Sequence, residues 1–370
     1  MAATPVPNAV ASLSKIDPKF LNDTADVVAE LEDLQRQIPA DAIAEPNTDW
    51  HDRTLQVLGR SVDVCREYEE RLVDDEPLLR AAQAYFRQAT EATLGQSWFA
   101  HRARTKPSGF PGDYDMLLKI YQRQTPARGL GSYLDLCLMD VELARAVRGR
   151  LKAVREFLIN ELHEREQQAR ILDVASGPCQ EFMDWPMKAE SIEVLAMDSD
   201  PAALDYVRQT VIPAVDPVRF EAVRYNALRT RKADATIRNF GRFDVMYSVG
   251  LADYLTDDLL VDLLAAWHDS LTDDGVMYIA FKDTERYDKT PYQWHLDWFF
   301  YQRTVQDVLR LYERAGFDTA RIDTWRDESG IIVNFVTRVG DHPRRRTDAA
   351  ARGVRGPHVR RQSARRSVQG

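Results

Sequence analysis

Ala169 to Asp200 reads ARILDVASGPCQEFMDWPMKAESIEVLAMDSD. Its apolar run, Ile171-Leu172-Asp173-Val174, is bounded by charge before and turn residues after, as a strand buried in a parallel sheet is. Small residues follow in Ala175-Ser176-Gly177-Pro178-Cys179, where backbone can approach a ligand closely. A helix is expected next, and then a second apolar run, Ile192 to Met197, which closes on Asp198. Backbone N–H groups in the turn and at the start of that helix suit a polar ligand tail. A carboxylate ending the second strand can accept two hydrogen bonds from ribose hydroxyls. Asp198 stands 25 residues after Asp173, near the roughly 20-residue offset such an acid keeps. Strand, small-residue turn, helix, strand and acid make half of a nucleotide-binding βαβ unit. The plainer alternative is an ordinary buried βα turn that holds no ligand.

Upstream, helical signals run from about Pro18 to Leu94. In LNDTADVVAELEDLQRQI, Leu21, Val27, Val28, Leu31 and Leu34 approximate a helical stripe, with Asn22 or Asp23 as the expected cap. The segments TLQVLGRSVDVCREYEERLV and DEPLLRAAQAYFRQATEATL read the same way. A loop then breaks the rhythm with Pro107, Gly109, Pro111 and Gly112, and carries His101, Arg102, Arg104, Asp113 and Tyr114. Loops this rich in aromatic, basic and acidic residues often carry function; the alternative is a connector. From Gly131 to Glu166 the pattern is helical again, in one or two helices.

Downstream, Pro201 opens a helix ending near Thr210, and VRFEAVRYNAL supplies a third strand ending at Tyr225-Asn226. Gly241 to Ser248 supplies a fourth, followed by a helix after the cap Thr256. Asp274-Gly275 turns into a fifth strand, VMYIAF; a helix, TVQDVLRLYERAGF, leads to the last pair, ARIDTWRD and GIIVNFVTRV. Strands alternating with helices predict an α/β fold with a mostly parallel sheet and an antiparallel edge. The expected organisation is a helical extension or lid over 1–130 with a substrate loop at 101–115, a catalytic domain over 131–340, and a basic tail over 341–370.

Composition narrows the class. With 44% apolar and 29% charged residues the chain reads as an ordinary globular protein. No run of 18 apolar residues is present, which predicts no membrane span, and the N-terminus has no signal-peptide pattern. Cys65, Cys137 and Cys179 are few, odd in number and far apart, so a reducing cytoplasm is expected, without disulfides or a zinc site. From Asp341 on there are nine arginines, no lysine and two acids, leaving 40 basic against 56 acidic residues in the first 340, a balance of −16. An acidic body argues against nucleic acid as the main partner. The tail has almost no apolar residues and is expected to be disordered.

The element order from Ile171 to Val339 resembles the class I S-adenosylmethionine-dependent methyltransferases, whose Rossmann-like sheet has five βα units and a final hairpin, seven strands in all. In that family the first turn is usually rich in glycine; here ASGPC keeps only Gly177, with small residues beside it. The resemblance implies S-adenosylmethionine as cofactor, with Asp198 on the ribose, Asn226 near the adenine amine, and Ser248-Val249-Gly250-Leu251 where methyl donor and acceptor meet. The cofactor set it implies is Asp173, Ala175, Ser176, Gly177, Pro178, Asp198, Ser199, Asn226, Ala227, Ser248 and Gly250. A narrower likeness rests on KPSGFPGDYDM, GLADYL, QWHLDWFFYQRT and the helical extension. Together they look like a bacterial methyltransferase group that includes proteins described as making 3-hydroxypalmitic acid methyl ester, which implies a small-molecule acceptor, a carboxylate among them.

Methyl transfer is an in-line displacement, so such an enzyme mainly positions the acceptor and excludes water. A carboxylate needs no strong base; an amine, guanidine or hydroxyl would. The expected catalytic residues are His295, Tyr114, Asp113, Tyr254 and Arg303. Trp294, Trp298 and Phe299 are expected to wall the pocket and steady a sulfonium, and Arg303 to clamp an acceptor carboxylate. The plainer alternative for WHLDWFF is a core helix with a structural histidine. No HxxxH or CxxC pairing points to a metal. Two other functions fit the same residues: N-methylation of an amine or guanidinium group, which an acidic body favours, and a non-catalytic adenosylmethionine-binding protein. The extension's apolar stripes can bury within the chain or in a homodimer.

Overall fold

The structure, a computed structural model, describes residues 15–341. Residues 1–14 of the expected extension and the basic tail beyond Asp341 lie outside the described residues. Helix α1 spans Pro18–Gln37 and is capped by Asp17, whose carboxylate accepts the Lys19 N–H at 2.8 Å. Pro18 takes the first helical position, where its missing N–H costs nothing. The cap therefore lies before Asn22 and Asp23, which sit inside the helix. Thr48 caps α2 (Asp49–Glu70) and Asp75 caps α3 (Glu76–Ala89).

The stripe Phe20, Val27, Leu31 and Leu34 packs into one core with Cys65, Tyr68, Ala82 and Phe86. Burial of each large apolar side chain stabilises by about 1.5–3 kcal/mol. That core also takes Trp294 from far along the chain. The stripes thus bury within the single chain.

A single turn, Glu91–Leu94, leads to α4 (Trp98–Thr105), α5 (Tyr114–Gln122), α6 (Leu130–Met139) and α7 (Glu142–Glu164). The strands are β1 (Ala169–Val174), β2 (Ile192–Asp198), β3 (Arg219–Arg224), β4 (Phe243–Val249), β5 (Leu271–Lys282), β6 (Asp323–Arg326) and β7 (Ile332–Arg338). They form one sheet in the order β3-β2-β1-β4-β5-β7-β6. The first five are parallel, and β7 runs antiparallel between β5 and β6. The closing hairpin is therefore partly interior: β7 is buried along nearly its whole length, and of the pair only β6 lies at an exposed edge.

Helix α7 covers one sheet face with Val147, Val154, Phe157 and Leu158. It is pinned to β7 by Glu161, which is buried and accepts from Arg338 Nη2 at 2.9 Å and Arg165 Nε at 2.9 Å. Between β2 and β3 comes α8, Pro201–Tyr206, which continues through wider turns to Ala214. Helix α9 (Ala233–Phe240) precedes β4, and was not evident in the sequence. The opposite sheet face is covered by α10 (Asp257–Asp269) and α11 (Val305–Ala315) through Leu260, Leu263, Leu264, Val308 and Leu311. Thr304 and Asp307 form a reciprocal capping box at the start of α11.

The main departure from expectation follows β1. Instead of a helix, the chain makes one short turn, Gln180–Phe182, and runs irregularly to β2. Pro178 and Pro186 bracket the segment and limit helical hydrogen bonding. Its carbonyls are met from outside: Arg155 on α7 donates to the oxygens of Glu181 at 3.2 Å, Met183, and Asp184 at 2.5 Å.

Candidate active site

A cavity of about 1350 Å³ opens at the carboxyl ends of the parallel strands, between the sheet, α5 and the helical extension. Ligands of open α/β sheets bind at this end. The turn after β1 enters it with Ala175 at φ 58° and Gly177 at φ 55°. A Cβ on Gly177 would meet only Leu117, at 3.7 Å, so the backbone there faces open space. Asp198 ties the turn to β2: its carboxylate accepts the Gly177 N–H at 2.8 Å and the Asp200 N–H at 2.9 Å. Burial raises its pKa, against the pull of those backbone donors. Each of its oxygens keeps a further lone pair for a hydroxyl. Asp200, next along, borders the cavity with a buried Oδ2 that has no partner.

Ala175, Gly177, Asp198, Ser199, Asn226, Ala227 and Gly250 border this one cavity. Four expected neighbours do not. Asp173 points beneath the turn, where Cys179 Sγ lies 3.6 Å from its Oδ2, and burial beside Glu181 holds its carboxyl well above the usual range. Ser248 Oγ donates to the Val174 carbonyl at 2.8 Å, a tie between β4 and β1. Ser176 and Pro178 lie outside the lining as well. The turn's N–H groups are also less free than expected: Ser176 N–H donates to the Met197 carbonyl at 3.1 Å, and Gly177 N–H to Asp198. With no helix following, the polar tail of a ligand must be met from elsewhere.

Arg150 meets that need. It sits on α7, 4% exposed, and borders the cavity with a buried Nε that has no hydrogen-bond partner. Its guanidinium leans on Gly250, where an added Cβ would stand 2.8 Å from Nη1 and where φ is 103°, so only glycine fits there. A signal existed in the sequence, since Arg150 falls on the stripe Val147, Arg150, Val154, Phe157 that faces the core. Tyr121 shares a side-chain hydrogen bond with this guanidinium, but the buried Nε has none, and an unpaired buried donor is costly, which points to an anionic group of a ligand.

Tyr254 and Trp298 share another stretch of the wall, with Trp298 Nε1 donating to Tyr254 Oη at 2.7 Å. Burial raises the Tyr254 pKa, so the phenol is a donor at neutral pH and not a base. The expected loop over 101–115 is narrower, because His101, Arg102 and Arg104 lie in α4 and Tyr114 opens α5. Gly112, in the connection between them, lies against this pair, and a Cβ there would come within 2.5 Å of Trp298. Tyr114 also borders the cavity.

Three expected catalytic residues are committed elsewhere. Asp113 is 1% exposed, caps α5 through the Met116 N–H at 3.0 Å, and accepts Arg102 Nε at 2.9 Å. Arg303 spends its donors on the carbonyls of Ala252 at 3.1 Å and Leu255 at 2.5 Å and on Asp257 at 2.7 Å. His295 points into the extension core, with Nε2 2.7 Å from Ser61 Oγ and its ring on Phe86. It lies in a buried wide-turn segment, Pro291–His295, where the plainer alternative had a core helix.

Desolvation first, then nearby Arg104, hold the His295 pKa down to about 3 from an ordinary 6.5. Below pH 6.5 the unfolded ring takes up a proton that the folded ring refuses until about pH 3. Its contribution to stability is thus full above that window and lost through it as pH falls, at about 1.4 kcal/mol per pH unit. Urea unfolding of wild type and His295→Gln should show their stability difference change by about 2 kcal/mol between pH 7 and pH 5. A difference that stays flat would show the ring to be exposed or charged.

No protein-family model and no curated protein matches the chain. Among solved structures, one described as a possible exported protein from Bordetella parapertussis is 14% identical, covering 91% of this chain and 99% of that chain at a TM-score of 0.51. A TehB-like SAM-dependent methyltransferase from Corynebacterium glutamicum is 18% identical, over 51% of this chain and 85% of that one, at a TM-score of 0.33. Magnesium protoporphyrin IX methyltransferase from Synechocystis PCC 6803, with bound SAM, is 10% identical over 53% and 83%, at 0.39. The first likeness speaks to fold; the other two carry nothing into the site. By its strand order, with an antiparallel β7 inserted beside β5, the chain has the Rossmann-like fold of class I methyltransferases behind a set of N-terminal helices.

Proposed function

We propose that the protein is an S-adenosylmethionine-dependent methyltransferase acting on a small-molecule carboxylate. The observation that carries this is one cavity bordered both by a ribose-type acid, Asp198 beside the open Gly177 turn, and by a wall of Tyr254 with Trp298. The residues present fit the cofactor. Asp198, with Asp200 beside it, would take the ribose hydroxyls, Asn226 and Ala227 would flank the adenine, and Arg150 would meet the carboxylate of the amino-acid half. When bound, S-adenosylmethionine supplies a sulfonium methyl: the acceptor oxygen's lone pair forms the new C–O bond as the C–S pair returns to sulfur.

A carboxylate acceptor is favoured by what lines the cavity. No histidine among the described residues borders it, and Tyr254 is held as a donor, so an acceptor that needs no deprotonation fits best. The protein's part is positioning and exclusion of water, by the connection between α4 and α5 and the extension as a lid. The finer sequence resemblance makes a hydroxylated fatty acid one such acceptor. The reducing cytoplasm expected from the cysteines is where we place it.

The test is label transfer from methyl-labelled S-adenosylmethionine to a small-molecule extract. Mild alkali should release the label as methanol, since an ester hydrolyses. An alkali-stable label would move the assignment to N-methylation. Tight cofactor binding with no transfer to any acceptor would indicate a non-catalytic binding protein.

A further inference from the structure

Lys282 closes β5 and is 6% exposed, yet it borders the cavity. Its ammonium donates to the Asp253 carboxylate, the one hydrogen-bond acceptor found for it among the described residues. The other Asp253 oxygen accepts the Lys282 backbone N–H at 3.2 Å, and the ammonium also lies 4.0 Å from the centre of the Phe300 ring. Asp253 does not border the cavity. The cavity therefore meets the cation and not its counter-ion. An ammonium carries three N–H donors; one goes to Asp253, which leaves donor capacity toward the space beside Tyr254.

The other charges sharpen this. Asp198 and Asp200 belong to the ribose end, and Asp297 is paired with Arg87 and Lys106. Arg150 is a second cation on the inner wall, close enough to lower the Lys282 pKa further after burial has done so. Arg80, Lys106 and Lys289 also line the cavity, but each is paired, with Glu76, Asp297 and Glu69, and partly exposed. With Arg150 given to the cofactor, Lys282 is the buried cation left for the acceptor. Stability alone does not account for it, because a buried ion pair stabilises no better than apolar side chains of similar volume.

We propose that Lys282 selects an anionic acceptor, gripping its carboxylate beside the methyl donor while Asp253 holds the ammonium in place. This rests on the methyl-transfer reading and deepens it. It also gives a route for product release. Methylation turns the carboxylate into a neutral ester, so the attraction that drew the acceptor in is absent from the product, and Lys282 is left to Asp253 alone.

The test is calorimetric titration of the full chain, with and without S-adenosylhomocysteine, using acetate, hexanoate and decanoate against methyl decanoate and decylamine. The chain-length series suits walls that include Phe99, Met116, Ile120, Leu138 and Leu296. Decanoate should bind at least tenfold tighter than its ester or the amine. Lys282→Met should abolish that preference and Lys282→Arg should keep it. Because Lys282→Met strands a buried carboxylate, Lys282→Met/Asp253→Asn is measured beside it and should behave alike. S-adenosylhomocysteine affinity should stay within threefold in all variants. The assignment is overturned if no carboxylate binds, if the anion preference survives in both methionine variants, or if cofactor-product affinity falls together with decanoate affinity. Failure of wild type to bind S-adenosylhomocysteine, with the anion preference intact and dependent on Lys282, would instead sink the methyl-transfer reading and leave the anion site standing.

Discussion

Asp198→Ala should weaken S-adenosylmethionine binding about a hundredfold, measured by calorimetric titration at fixed salt. Hydrogen bonds to a charged acceptor are worth about 1.5–3 kcal/mol each, and a factor of ten in affinity is about 1.4 kcal/mol, so losing one to two such bonds gives that scale. The substitution also frees the Gly177 and Asp200 N–H groups, which the carboxylate now holds at 2.8 and 2.9 Å, so the turn loses part of its shape along with the ribose contact. Asp198→Asn keeps one acceptor oxygen and the side-chain volume, and should fall between wild type and alanine. An alanine variant that binds within threefold of wild type would show that the ribose is held elsewhere, and Asp200 would be the next residue to change.

Arg303→Ala should cost about 2–4 kcal/mol of stability, read from urea unfolding midpoints at constant slope. The guanidinium is 4% exposed and ties together the loop after β4, where Ala252 and Leu255 offer their carbonyls. Removing it leaves the Leu255 carbonyl without this donor and the Ala252 carbonyl with only the Leu255 N–H at 3.2 Å; a buried group left unpaired costs about 1–3 kcal/mol. Asp257 adds little to the loss, because its side chain is mostly in water. Lysine reaches one partner but cannot reproduce the fork, so Arg303→Lys should recover only part of the loss. The sequence-based expectation, an acceptor clamp, makes the opposite forecast of a stable protein with a raised KM. A loss below about 1 kcal/mol would return Arg303 to that role.

Much of the sheet was legible because period and punctuation carry it. Buried parallel strands are short apolar runs closed by turn residues, and β1, β2 and β4 fall within two residues of those runs. Strand β5 begins at Leu271, five residues before Val276, so that Asp274-Gly275 lies inside the strand and not in the expected turn. The final hairpin was legible as a pair, but not that β7 would enter between β5 and β6. Partner choice is a long-range matter that local pattern does not encode. The missing helix after β1 illustrates the limit: its prolines were visible, but its stability without a helix depends on Arg155, contributed by α7.

Site residues divide along the same line. Asp198 was found because it ends a strand at a known distance from the turn, and its neighbours in sequence are its neighbours in space. His295, Asp113 and Arg303 were the right kinds of residue in an aromatic, charged segment, but side-chain direction separated them from the cavity. Their partners, Ser61, Arg102 and Asp257, are 234, 11 and 46 residues away. Arg150 and Lys282 escaped notice for the converse reason, as charges on apolar elements that read as interruptions of a stripe.

By itself the sequence determined the α/β class, the strand that ends in Asp198, and the helical extension ahead of them, because hydrophobic period and turn chemistry act over a few residues. Which charges face the cavity, and which are spent holding loops and helix ends, was decided only in the tertiary structure. A buried charge takes whichever partner the packed elements bring within about 3 Å, and that partner is set by the whole fold.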